Sequence, residues 1–169
     1  MYKNILVPLD GSELAECVLP HVAAFTADCQ VSTIVFAQVI EPAPLYFRRG
    51  YATVEVDYTK IQENTARIEV LMKSSAEEYL KQVINRFKPN GARLIAQVMV
   101  GKPADQLVEY AGANQIDLIL IATHGRSGLS RWVRGSIADR ILRAAHVPVL
   151  MVRAPGAIGG LKQKEGTND

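Results

Sequence analysis

The chain has little of several features that mark whole classes of protein. It has two cysteines, Cys17 and Cys29, and their spacing matches neither a CxxC redox motif nor a zinc site. We therefore expect both thiols to be reduced and to pack as small hydrophobic side chains. No apolar run approaches the ~20 residues that cross a bilayer, and the chain opens on a strand pattern instead of a signal peptide. These absences favour a cytoplasmic protein without a membrane partner.

An excess of basic charge is also missing. The formal net charge is +2 and the chain has four Phe and one Trp, whereas nucleic-acid-binding domains cluster basic residues and interleave them with aromatic ones. We therefore expect no nucleic-acid partner. What the chain does have is 169 residues and a hydrophobic content of 49%, which suits one globular domain with a substantial core.

Short apolar runs alternate with helical patterns along the chain. The runs are continuous, which predicts strands buried on both faces of a sheet. Four helices are predicted between them: one from Ser12, bent at Pro20; a long one over 58–87; one starting at Pro103; and one over about 136–145. The predicted strands cover residues 5–9, 31–40, 93–100, 117–122 and 147–153.

The apolar positions of the first two helices recur at steps of three or four residues, as in amphipathic helices that pack on a sheet. Ser12 is expected to cap the first helix. The inward faces are predicted to be Leu14, Val18, Val22 and Phe25 in the first helix, and Ile61, Thr65, Ile68, Met72, Ala76, Tyr79, Val83 and Phe87 in the second.

This alternation predicts the α/β class: an open five-stranded parallel sheet with helices on both faces, strand order 3-2-1-4-5, and a Rossmann-like nucleotide-binding fold. The domain is predicted to span 1–153. Residues 45–57 lack a clear period and are interpreted as a surface excursion. Residues 154–169, rich in glycine and polar residues, are interpreted as a disordered tail.

The most informative segment follows the fourth predicted strand, where glycines, hydroxyls and arginines lead into a helix. Gly125, Gly128 and Gly135 permit a close approach of a ligand to the main chain, and the next helix would direct its free amides at an anion. A surface turn with solvated arginines is the alternative. In the predicted strand order this loop and Asp10-Gly11-Ser12 face one crevice, which favours a nucleotide or phosphorylated ligand. The arginines are Arg126, Arg131 and Arg134.

His124 lies beside this predicted phosphate cradle and titrates near neutral pH, so it is a candidate proton acceptor for hydrolysis. No carboxylate or second histidine accompanies it in the motif, which favours a role in orienting the loop. A metal, Mg or Mn, would enter with the phosphates, because the site offers few carboxylates of its own. The sequence contains no Walker A pattern.

The chain resembles the universal stress protein family over residues 1–153. The nucleotide-binding branch has the motif G-x2-G-x9-G-[ST]; Ala122, Gly125, Gly135 and Ser136 occupy these positions with both spacings intact, and Ala122 departs from the first glycine. Residues 7–12 and 98–103 are also similar to family signatures. The resemblance implies a five-stranded parallel sheet, ATP as the ligand, and dimers formed through the last strand.

The resemblance also implies residue roles. Asp10 would meet the ribose or adenine, Pro8 and Leu9 would line the base, and Val39 would pack against adenine. From the residues alone, Asp10 as a turn residue, Val39 as plain core and solvated arginines remain open alternatives. The predicted nucleotide-binding residues are Pro8, Leu9, Asp10, Val39, Ala122, Thr123, His124, Gly125, Arg126, Ser127, Gly128, Gly135, Ser136 and Ile137.

The resulting hypothesis is an ATP-binding universal stress protein that acts as a nucleotide-dependent regulatory binding protein in a stress response, with at most weak ATP hydrolysis. A homodimer through 149–152 is expected, because this edge strand is apolar on both faces, and burial of the strand under the chain's own tail is the alternative. Two alternatives remain: a slow ATP hydrolase or nucleotidyl-transfer enzyme that uses His124, and a scaffold that binds no nucleotide and contacts its partner through 45–87.

Overall fold

The fold is a five-stranded parallel sheet with helices on both faces. A computed structural model describes residues 2–28, 30–42, 58–87, 91–123 and 137–154, without the side chains of residues 28 and 58–63. The strand order is β3-β2-β1-β4-β5 and every neighbouring pair is parallel, as predicted. The elements are β1 Asn4–Pro8, a 3-10 turn Ala15–Val18, α1 Leu19–Asp28, β2 Thr33–Ile40, α2 Tyr58–Arg86, β3 Arg93–Val100, α3 Pro103–Ala113, β4 Leu118–Thr123, α4 Ile137–Ala144 and β5 Val149–Arg153.

Each face of the sheet carries its own hydrophobic core. Successive side chains of a strand point to opposite faces, so Ile5 and Val7 pack with the first two helices while Leu6, between them, packs with α3 and α4. All three side chains are fully buried. The continuous apolar runs of the sequence are therefore explained by a central sheet that is covered on both sides.

Asp117 lies just before β4, although the sequence predicted it to be the first residue of this strand. Its carboxylate accepts hydrogen bonds from the backbone amides of Lys3, at 2.8 Å, and Asn4, at 3.2 Å. These bonds join the start of β1 to the start of β4 at the centre of the sheet.

The first predicted helix differs from the structure at its beginning. Pro20 was predicted to bend it, but Pro20 is the second residue of α1, where its missing amide costs no intrahelical hydrogen bond. A separate 3-10 turn precedes it. Leu14, predicted to face inward, is 44% exposed because it lies before this turn and outside any helical face. Ser12 does cap the turn: its Oγ accepts from the Ala15 amide at 3.1 Å.

The inward face of α2 was predicted correctly only in its second half. Ala76 and Val83 are buried, together with Leu80, which the sequence analysis missed. Ile68 and Met72 were predicted to be buried but are 47% and 40% exposed. The helix has 29 residues, about 44 Å at 1.5 Å each, whereas the eight residues of β2 or β3 span about 26 Å. The sheet is therefore too short to cover the first turns of α2.

Several predictions concern residues outside the described ranges: the reduced state of Cys29, the surface excursion at 45–57, and the tail from residue 155 onward. Cys17 is unpaired and half-buried, and burial raises the pKa of its thiol. Ala154 was assigned to the tail but is packed, 4% exposed, with its amide donating to the Thr123 carbonyl at 3.1 Å. Among the helices of the described ranges, none has the length and apolar character needed to cross a membrane.

Candidate functional site

A cleft of about 410 Å³ opens at the carboxyl ends of β1, β2 and β4. We call it the switch-point cleft, because β1 and β4 are the neighbours at which the winding of the sheet reverses, the usual ligand position in open α/β sheets. Its described lining consists of Pro8, Leu9, Asp10, Leu14, Ala15, Ala37, Val39, Glu41, Pro103, Leu107, Ile121, Ala122, Thr123, Ile137, Ala138 and Ala154.

Small and medium apolar side chains form most of the walls. Ala37 and Val39 are alternate residues of β2 and face the cleft from the same side of the sheet. Leu9, 4% exposed, is held beside them by a 2.8 Å hydrogen bond from its amide to the Ala37 carbonyl. An apolar cleft with a few polar groups is the common form of a small-molecule site, and these walls suit a flat aromatic ring.

Asp10 is fixed in a tight turn at the edge of the cleft. Its Oδ1 accepts hydrogen bonds from the Ser12 amide at 2.9 Å and from the Ser12 hydroxyl at 2.6 Å. Gly11, between them, has φ +86°, a left-handed conformation that favours glycine. Asp10 is thus a turn residue, as one of the two interpretations of the sequence held. The turn also places Asp10 where it lines the cleft.

The polar groups of the described lining are Asp10, Glu41 and Thr123. Glu41, which directly follows β2, was missed by the sequence analysis although its position at the carboxyl end of a strand could have indicated it. Two carboxylates and no cation in this part of the lining disfavour phosphate and favour a ligand portion that donates hydrogen bonds, such as a sugar.

The glycine-rich segment 124–136 lies outside the described residues, but both of its flanks line the cleft. Thr123 ends β4 and Ile137 begins α4. The described residues on either side of the segment therefore both lie at the cleft. Near the start of α4, Arg140 donates to Asp105 of α3 at 2.8 Å in an exposed ion pair.

Half of the predicted nucleotide-binding residues can be located. The cleft brings together Pro8, Leu9, Asp10, Val39, Ala122, Thr123 and Ile137. The remaining seven, His124, Gly125, Arg126, Ser127, Gly128, Gly135 and Ser136, lie outside the described residues. Arg131 and Arg134 lie there as well. Besides Glu41, eight apolar lining residues were not predicted as site residues, because these residue types also occur throughout an ordinary core. They are Leu14, Ala15, Ala37, Pro103, Leu107, Ile121, Ala138 and Ala154.

The sequence pattern of the family described as "Universal stress protein family" matches residues 1–153. The chain belongs to the universal stress protein family. The universal stress protein MJ0531 of Methanocaldococcus jannaschii is 31% identical to it over 92% of this chain and 84% of that protein.

Solved structures of universal stress proteins share the fold. The structure of the protein MJ0577, a universal stress protein of the same organism, has a TM-score of 0.70 and 25% identity, covering 90% of this chain and 96% of the other. A universal stress protein in complex with cAMP has a TM-score of 0.62 and 19% identity over 90% and 98% of the two chains. The parallel sheet with order 3-2-1-4-5 is therefore the fold shared with these relatives.

Proposed function

We propose that this universal stress protein binds an adenine nucleotide, ATP, in the switch-point cleft and acts as a nucleotide-dependent regulatory binding protein. The observation that carries the proposal is the convergence of seven predicted residues, from three strands and a helix, on one apolar cleft. The cAMP complex of a relative with the same fold gives further support, since cAMP is an adenine nucleotide.

The base and the sugar have complementary surroundings in the described part of the cleft. Adenine would lie between Pro8, Leu9 and Val39, which offer apolar surface without competing polar atoms. The ribose hydroxyls would donate to Asp10 and Glu41, because ionised carboxylates are acceptors only. A carboxylate near the end of a strand is a common partner of a ribose hydroxyl in doubly wound folds.

The phosphates would lie toward segment 124–136. The two carboxylates of the described lining repel phosphate, so the triphosphate is expected on the side of Thr123 and Ile137. In the proposed complex, the amides near Gly125 and Gly135, with Ser127 and Ser136, hold the phosphate oxygens at the start of α4. Mg or Mn would accompany the phosphates.

Catalysis is proposed to be weak or absent. Efficient phosphoryl transfer needs a held metal, a positioned nucleophile and charge stabilisation together, and the sequence offers clear candidates for the last of these alone. The enzyme alternative rests on His124. Turnover of ATP with Mg by the purified protein, compared with His124→Ala, separates the two: a rate that falls in the variant favours the enzyme.

A homodimer through β5 is part of the proposal. Leu150 and Met151 are 39% and 43% exposed on this edge strand, and an unpaired edge invites a second strand. Two-fold pairing of β5 would satisfy the edge backbone groups of both copies and cover these side chains.

Isothermal titration calorimetry with ATP, ADP, AMP and cAMP tests the central proposal. We expect ATP to bind, and Gly135→Val to weaken binding by at least tenfold because its side chain would stand where the main chain meets phosphate. Gly112→Val is a matched control in α3, where a Cβ would meet open space. Equal ATP affinity in the wild type and Gly135→Val would exclude the phosphate cradle, and no binding of any nucleotide would favour the scaffold alternative.

A further inference from the structure

Two carboxylates line the switch-point cleft from the ends of different strands. Asp10 follows β1 and Glu41 follows β2. Ala37, Val39 and Glu41 are alternate residues, so Glu41 extends the row of side chains that lines the cleft from β2. Oδ1 of Asp10 is used by Ser12. Oδ2 of Asp10 and both carboxylate oxygens of Glu41 have no hydrogen-bond or ion-pair partner within the described residues.

The sheet holds the backbone directly before each of these two residues. The amide of Leu9, the residue before Asp10, donates to a carbonyl of β2 at 2.8 Å. The amide of Gly101, directly after β3, donates to the carbonyl of the residue before Glu41 at 2.9 Å. Asp10 and Glu41 are therefore attached to hydrogen-bonded ends of neighbouring strands, and a ligand in the cleft meets acceptors from both.

We propose that Asp10 and Glu41 make the cleft selective for adenine nucleotides whose 2′ and 3′ hydroxyls are both free, and that they disfavour nucleotides with a phosphate monoester on the 3′ oxygen. This selectivity rests on the proposed nucleotide binding and defines the class of nucleotide that the cleft takes. A free 2′,3′ diol brings two O–H donors to carboxylates, which accept only. A 3′ phosphate removes one donor and brings negative charge toward two carboxylates, in a described lining that holds no cation.

The exposure of the two carboxylates sets the expected size of the discrimination. A site that leaves a buried polar group without its partner rejects the wrong ligand by several orders of magnitude. Asp10 and Glu41 are both exposed, and water and salt screen exposed charges. We therefore expect a loss of about tenfold in affinity for each missing hydroxyl.

Isothermal titration calorimetry of the full-length protein with four nucleotides tests this selectivity. They are ATP, 2′-deoxy-ATP, 3′-deoxy-ATP and ATP with an added 3′ phosphate, which share the base and the 5′ triphosphate. We expect ATP to bind most tightly, each deoxy compound about tenfold more weakly and the 3′-phosphorylated compound at least tenfold more weakly.

Glu41→Gln keeps the length of the side chain and removes its charge. The Kd of 3′-phosphorylated ATP divided by the Kd of ATP should fall at least threefold in this variant, because repulsion of the 3′ phosphate is reduced. A ratio of two Kd values in one protein cancels any effect of the substitution on the binding of the base and the triphosphate. Glu109→Gln is the matched control, since Glu109 is exposed on α3 and is not part of the described lining, and its ratio should equal that of the wild type.

The outcomes separate this selectivity from nucleotide binding itself. If ATP binds and both deoxy compounds or 3′-phosphorylated ATP bind equally well, the selectivity is wrong while the proposed function stands. The selectivity is also wrong if the ratio of Kd values changes equally in Glu41→Gln and Glu109→Gln. If none of the four nucleotides binds, the proposed function fails and the selectivity fails with it.

Discussion

Oδ1 of Asp10 accepts hydrogen bonds from both the backbone amide and the hydroxyl of Ser12, at 2.9 and 2.6 Å. The same hydroxyl accepts from the Ala15 amide at 3.1 Å. Asp10 is thus positioned by the first turn of the following helical segment, and one oxygen of its carboxylate is used for this purpose. Binding of a sugar hydroxyl would fall to Oδ2, which has no hydrogen-bond partner within the described ranges.

Substitutions at Asp10 and at Ser12 should therefore have different effects: the first should lower ATP affinity, and the second should mainly lower the free energy of unfolding. Asp10→Asn keeps an oxygen for the Ser12 bonds and removes the charge, so we expect ATP affinity to fall by about tenfold with little change in the free energy of unfolding. Ser12→Ala removes the cap and should lower the free energy of unfolding by about 1 kcal/mol, with ATP affinity changed less than in Asp10→Asn. Calorimetry and urea denaturation measure the two effects. Equal ATP affinity in Asp10→Asn and wild type would contradict the ribose role.

Val39 is predicted to form one wall of the adenine position. Val39→Trp would fill the apolar part of the switch-point cleft, so we expect ATP binding to weaken by at least tenfold while the protein stays folded. Val100→Trp is the matched control at the end of the neighbouring strand, where Val100 is 37% exposed and does not line the cleft. Titration calorimetry measures the ATP affinity of both variants. An equal loss of ATP affinity in the two variants would argue against a position of adenine beside Val39.

The sheet could be predicted from the sequence because its signal is local and repeated. Each strand is a short apolar run, and parallel strands separated by helices leave few allowed topologies. The wrong predictions concern positions whose burial depends on how the helices pack against the sheet. Leu14 and Ile68 fit a helical period, yet Leu14 precedes the first helical turn and Ile68 lies where the sheet is too short to cover α2. Periodicity identifies a helix without showing how much of it has a partner.

The site was predictable where its residues are chemically unusual. The glycines after β4 and the Asp10-Gly11-Ser12 turn stand out by residue type, and the strand order brings the flanks of both segments to one cleft. Ala37 and Leu107 line the same cleft but are residue types found throughout any core.

Leu80 and Leu71, nine residues apart on α2, should respond very differently to truncation. Leu80 is fully buried and Leu71 is 69% exposed. Leu80→Ala should lower the free energy of unfolding by about 2–5 kcal/mol through lost burial and a cavity, whereas Leu71→Ala should change it by no more than about 0.5 kcal/mol. Urea denaturation of both variants measures this. A large loss in Leu71→Ala would show that the first half of α2 is covered in solution.

Tyr79 should give stability a specific dependence on alkaline pH. Burial and the nearby Glu16 raise the pKa of its hydroxyl above the ordinary value of 10.0. Above about pH 10 the unfolded chain loses this proton more readily than the folded one, so deprotonation favours unfolding and the free energy of unfolding falls. Tyr79→Phe lacks this contribution. We expect the free energy of unfolding, measured by urea denaturation, to fall more in the wild type than in Tyr79→Phe between pH 8 and about pH 10.5. An equal fall in the two proteins would contradict this role of Tyr79.

Leu150 provides a test of the proposed dimer. It is 39% exposed on β5, the edge of the sheet, and a charge at this position would have to be buried if two copies paired along the strand. We expect Leu150→Glu to shift the protein toward monomer in analytical ultracentrifugation, with the dimer weakened at least tenfold because an unpaired buried charge is costly. Leu142→Glu is the control, since Leu142 is 46% exposed and belongs to α4 instead of the edge strand. A dimer that persists in Leu150→Glu but dissociates in Leu142→Glu would place the interface on α4 instead of β5.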